Sequence, residues 1–237
     1  MNFDLNKVSD EENELVKQAN RNYGEFYENA YQLVTLFCNF AQPTQKNDAF
    51  VVFLLLARRS ISLALISILR KHDVQCQLML RQFLEASILT AFALEVKTIE
   101  VFGEQTEKGL LEINENVKGR AYKWIDENYK NISQKTFNMK SVINKHVSHP
   151  NLVSASMNSS NLDSIYDIES VHIIKQCLWW IGNVIIGMTD LLIQVNVKYP
   201  GFKVIDDFKI QAQSLCRQND NIKQQSMNEP EFKKWLE

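Results

Sequence analysis

FVVFLLLARRSISLALISIL, residues 50–69, is the stretch that decides the fold. It has the length and apolarity of a membrane span, but Arg58 and Arg59 stand at its middle. Each would cost about 2.5 to 3.5 kcal/mol at a bilayer centre. The expected reading is a helix from about Asp48 to Arg70 that is apolar almost all round and forms the central element of a soluble bundle. A second apolar run, Trp179 to Val197, carries Asn183, Asp190, Gln194 and Asn196 and is read the same way. No membrane association is expected.

Outward from that helix, the pattern stays helical. Upstream, Leu15, Ala19, Tyr23, Phe26, Ala30, Leu33, Phe37 and Phe40 recur at steps of three and four, the seam of one long packed helix. Ser9 followed by Glu12 is a capping box that would start it, Gly24 weakens it, and Pro43 ends it. Downstream, Lys71-His72-Asp73 forms either a tight turn or a kink before a third helix, about Val74 to Lys97. A weaker helix is expected from about Thr106 to Tyr129, interrupted by Gly109 and Gly119, and another over about Ser133 to Val147, stopped by Pro150. A Ser/Asn-rich run to about Asn161 follows. Asp163 or Ser164 caps the next long helix, which reaches Val197, and a last helix covers about Val204 to Arg217.

Composition agrees. The 237 residues contain only 7 glycines and 4 prolines, less than half the usual share of about 12%. So few turn formers cannot supply the corners of a sandwich or barrel. The expectation is one all-α domain over residues 1–237, a single antiparallel bundle of about six to eight helices. Its core spans about 9–217, and 218–237 is a polar tail. The formal net charge of −2 excludes a dedicated nucleic-acid coat, whose phosphate contacts need a basic face. Cys38, Cys76, Cys177 and Cys216 lie far apart, which indicates neither a zinc ribbon nor a redox pair. The N-terminal residues lack a basic start and an apolar segment, so the expected compartment is the cytoplasm, with reduced thiols.

The sequence holds no Walker A, G-x-G-x-x-G, G-x-S-x-G or H-E-x-x-H signature, and no cofactor is expected. What remains is polar residues in apolar surroundings. Arg81 and Glu85, at i and i+4, share a helix face flanked by Leu78, Leu84 and Ile88. The pair is either a structural ion pair or part of a polar pocket that Arg58 or Arg59 could join. His146 and His149, at i and i+3 near a helix end, offer a cap, a share in that pocket, or two ligands for a metal that Glu85 would complete. No metal site is expected from this set. Trp179-Trp180 reads as core or a dimer face, because it lacks the interleaved cations of a base-stacking platform.

Leu78-Met79-Leu80-Arg81-Gln82-Phe83-Leu84-Glu85-Ala86, with the later His146-Val147-Ser148-His149-Pro150-Asn151, resembles a broad group of bacterial helical proteins. Their pattern is an L-x-R-x-x-x-E-A helix and a later S-x-x-x-H-P or S-H-P segment, and they look like distant relatives of the HEPN superfamily. The resemblance covers about 100 residues. It implies a helical bundle, often dimeric, in antiviral or stress systems, with Arg81, Glu85 and His149 as pocket residues. Active HEPN ribonucleases carry an arginine four to six residues before a histidine, and here only Lys140 stands six before His146. Lysine lacks the fork that grips a phosphate. The expected function is therefore a non-catalytic interaction module, binding a partner protein or a second copy of itself. The alternative is a ribonuclease or nucleotide-acting enzyme at an Arg/Glu/His pocket, with RNA or a nucleotide as its ligand.

Overall fold

Asp4 opens the first helix. Its carboxylate accepts hydrogen bonds from the backbone N–H of Asn6 and Lys7, satisfying two groups that the helix itself leaves unpaired. Ser9 is therefore inside the helix rather than at its cap, and Glu12 is used elsewhere. The computed structural model describes residues 4–44, 48–105, 111–114, 116–147, 166–168 and 170–226. The expected long first helix is three: α1 (Leu5–Lys17), α2 (Ala19–Tyr23) and α3 (Glu25–Asn39). Gly24 takes φ +52, a conformation open to glycine, and divides α2 from α3.

Two long helices follow, α4 (Asp48–Leu69) and α5 (Asp73–Glu95). Between them Lys71 takes φ +64, so the connection is a true reversal and not a kink. Asp167 closes this corner from far along the chain. Its carboxylate accepts from the N–H groups of Asp73 and, at 2.9 Å, Val74, capping α5, while its own N–H bonds Lys71 O. Glu12 reaches the same corner, 2.8 Å from His72 Nε2 and 3.6 Å from Arg70 Nε.

The chain then departs from expectation. Gly103–Gln105 and Leu111–Ile113 pair as the antiparallel strands β2 and β3, so part of the stretch read as a helix from Thr106 is extended. Helix resumes as α6 (Val117–Asn128) and α7 (Lys130–Val147). Then come α8 (Val171–Lys198) and α9 (Phe208–Ser226). Val204 does not begin the last helix, because Phe202–Val204 (β4) pairs antiparallel with Ala41–Pro43 (β1). Asn196 holds that corner: its Oδ1 accepts from the N–H of Gly201 and Phe202, and its Nδ2 donates to Phe202 O. The Ser/Asn-rich run and the caps expected at Asp163 or Ser164 lie outside the described residues.

The described residues thus form an all-α bundle with two short two-stranded ribbons. One apolar core joins α2 through α9. At its centre Phe37 meets Phe83 edge-on at 4.9 Å, and Phe202 meets Phe40 edge-on and stacks on Phe50. The central helix is α5, which packs against α4, α6, α7 and α8. Its buried residues run from Cys76 to Leu94 around almost its whole circumference. Helix α4 packs most extensively on α5, yet one of its faces meets solvent, contrary to the expected all-round burial.

Candidate functional site

Three helices converge on Glu85. On α5 itself, Arg81 Nε stands 3.3 Å from Glu85 Oε1, the i,i+4 pairing that the spacing predicts. From α6, Lys118 Nζ approaches Glu85 Oε2 at 2.6 Å. From α7, Lys140 Nζ lies 3.6 Å from Glu85 Oε1. Lys140 also donates to the Tyr122 hydroxyl at 3.2 Å and sits 4.3 Å from the centre of that ring. Lys118 and Tyr122 reach the same place because they are four residues apart on α6. One carboxylate thus gathers three cations and, through Lys140, a phenol.

The electrostatics follow from that ratio. Burial pushes the Glu85 carboxyl up, but the Lys118 hydrogen bond, the charges of Lys118 and Lys140 and the Arg81 hydrogen bond outweigh it. The group is held below its ordinary value. Lys140 goes down as well. Burial is the larger cause, and although Glu85 opposes it, the like charges of Lys118 and Arg81 add to it. Burial and the Glu85 charge push the Tyr122 phenol up, so it stays a neutral donor. Among the described residues, three cations thus face one carboxylate, with Lys140 the most buried of the three.

Arg58 is not in this cluster. Its Nη2 donates to the Ala41 carbonyl at 2.8 Å, which fixes the start of β1, and burial lowers its pKa. Its role is structural; it is part-buried, whereas Arg59, next to it on α4, is exposed. His146 lies on the last turn of α7, but its side chain is outside the described residues, as is all of His149. Sequence reasoning missed Lys118 and Tyr122. Their spacing on a polar helix was the available signal, and it resembles that of many solvated faces. Among the described residues, no group of three His, Cys, Asp or Glu side chains is placed to hold a metal. All four cysteines are free thiols.

A second feature is apolar. Val52, Leu55, Leu63 and Ile66 on α4 are 57%, 51%, 40% and 38% exposed, and Leu78 on α5 is 44% exposed. The α4 positions follow the three-and-four spacing of one helix face and are symmetric about exposed Arg59. Leu55 and Leu63 lie four residues to either side of it, Val52 and Ile66 seven. Gln82, one turn beyond Leu78, accepts a hydrogen bond from Ser60, so this side of α5 borders α4. Ala49–Leu69 and Val171–Lys198 have the length and hydropathy of membrane spans. In the structure, 44% and 56% of their most apolar windows are buried inside the bundle.

Comparison of the chain with family models, with curated proteins and with solved structures finds no match.

Proposed function

We propose that the protein is a non-catalytic helical interaction module that pairs with a second copy of itself through the apolar stripe of α4. The observation that carries this reading is the symmetry of the stripe about Arg59. A two-fold axis through that position, with two α4 helices antiparallel, sets Leu55 against Leu63 and Val52 against Ile66 at both ends. A closed two-fold contact requires such self-complementarity. The stripe also has the reach of a helix pair: at about 1.5 Å per residue the 22-residue α4 is about 33 Å long, and exposed Leu78 of α5 widens its face.

Within this reading the HEPN-like resemblance suggests bacterial antiviral defence or stress response as the setting, and the cytoplasm as the compartment. The ribonuclease alternative has less support. No arginine stands in the ribonuclease position before His146, and Lys140, which does, lacks the guanidinium fork.

Leu55→Glu and Leu63→Glu test the reading. Both side chains are exposed, so a charge there leaves the monomer fold intact, with unchanged circular dichroism. The module is expected to dissociate to monomers in sedimentation velocity. Variants that sediment as the unaltered chain does would overturn the reading.

A further inference from the structure

The cluster around Glu85 has the composition of a receptor for an anion larger than a carboxylate. Arg81 engages Glu85 through Nε alone, which leaves both Nη groups of its fork for a second acceptor. Lys118 directs one of its three N–H donors to Glu85, and Lys140 spends one on Tyr122 while standing 3.6 Å from Glu85, so each ammonium keeps donors for a further acceptor. Lys140 donates to the Tyr122 oxygen, so the Tyr122 O–H is directed away from that lysine. We infer that Arg81, Lys118, Lys140 and Tyr122 hold a doubly charged phosphoryl group, a phosphate ion or the terminal monoester of a small molecule, over the ends of α5, α6 and α7 side chains that Glu85 gathers.

Charge selects the ligand. Among the described residues, three cations against one carboxylate leave a surplus of two, which a dianion neutralises and a carboxylate or a single phosphodiester does not. Geometry agrees, since the guanidinium fork matches two phosphoryl oxygens and the lysines serve as point charges. Burial argues for one group rather than a polymer. Glu85 and Lys140 side chains are only 20% and 22% exposed, whereas a strand of nucleic acid needs an open basic track. In this scheme Glu85 is a positioning residue: it touches no ligand atom and keeps three mutually repelling cations together. The site lies on α5, α6 and α7 and uses none of the α4 stripe, so it stands or falls independently of self-association.

The test uses the full chain. Thermal unfolding is followed with sodium phosphate, sodium sulfate and adenosine 5′-monophosphate, each against sodium chloride at matched ionic strength, and phosphate binding is then titrated calorimetrically. Phosphate, sulfate and the nucleotide are expected to raise the melting temperature where chloride does not. Arg81→Gln, Lys140→Gln and Lys118→Gln should each weaken phosphate binding about tenfold. Lys123→Gln, on the solvent side of α6 in its own pair with Glu127, should leave it within twofold. Lys118 is the most exposed of the three cations, so its variant remains informative if either of the others unfolds. Four results would overturn the assignment: no response beyond chloride, no response to the nucleotide monoester, undiminished binding by Lys118→Gln, or tighter binding of a single-stranded RNA lacking a terminal phosphate.

Discussion

Removing Glu85 should cost the fold more than an ordinary surface charge and less than a fully buried one. Exposed ion pairs contribute about 0.2 to 1 kcal/mol each, and breaking a buried pair costs about 3 to 5 kcal/mol. Glu85 falls between, a fifth exposed, with Arg81 and Lys118 over a third exposed and Lys140 about as covered as Glu85 itself. Two partners contribute at the exposed scale, Lys140 contributes more, and Glu85→Ala also leaves three cations facing one another. The expected loss is about 2 to 3 kcal/mol, or roughly 5 to 10 °C in melting temperature for a chain of this size. Glu85→Gln keeps an acceptor of the same shape and should lose about half as much. Urea unfolding at pH 7, at one protein concentration because self-association makes stability concentration-dependent, measures both. The pH dependence has a definite sign. Because the folded pKa of Glu85 is depressed, its stabilisation is fully present above the unfolded value, about 4.3, and is lost as the pH falls through the folded value. The gap between the unaltered chain and Glu85→Gln should be constant above about pH 5.5 and narrow as the pH falls through the folded value. A loss below about 0.5 kcal/mol for Glu85→Ala, or a gap that widens on acidification, would refute this account of the cluster.

Three further expectations concern the fold. Asp167→Ala removes two hydrogen bonds at the N-terminus of α5 and should destabilise by about 1 to 2 kcal/mol in urea unfolding. Asp167→Asn, which keeps an acceptor, should recover about half. Gly182→Ala would bring a methyl group to 2.5 Å from Asn219 Oδ1 and 3.1 Å from Leu33 Cδ1, where α8 meets α9 and α3. Overpacking there should cost about 1 to 3 kcal/mol, read as a lower denaturation midpoint with an unchanged slope. Phe83→Ala empties the ring contact with Phe37 at the core and should cost about 3 to 5 kcal/mol by the same measurement.

Where the pattern in the sequence is local, it can be read. Helix α4 matches its expected span almost to the residue, because its apolar run ends at Arg70 and Lys71, where the chain reverses. Arg81 and Glu85 meet because i,i+4 spacing alone brings them together. The misses come from contacts across the chain. Val204 has a helical neighbourhood in sequence, but a ladder to Ala41, 163 residues earlier, claims it for a strand. Asp167 caps a helix that begins 94 residues before it, a partnership no spacing rule reaches. Ser9 and Glu12 have capping-box spacing, yet Asp4 offers an earlier cap and Glu12 is drawn to His72. The cluster around Glu85 is half legible for the same reason: its α5 members share a turn, while Lys118 and Lys140 arrive only when α6 and α7 dock.

Arg59 separates a second copy of this chain from any other partner. At the axis of an antiparallel α4 pair the two Arg59 side chains repel, so Arg59→Leu should replace a like-charge contact by apolar surface. Sedimentation equilibrium from about 1 to 100 μM is the direct measurement. The account predicts a reversible dimer for the unaltered chain and a dimer about tenfold tighter for Arg59→Leu. A strict monomer at 100 μM for both, or weaker association of Arg59→Leu, would contradict it.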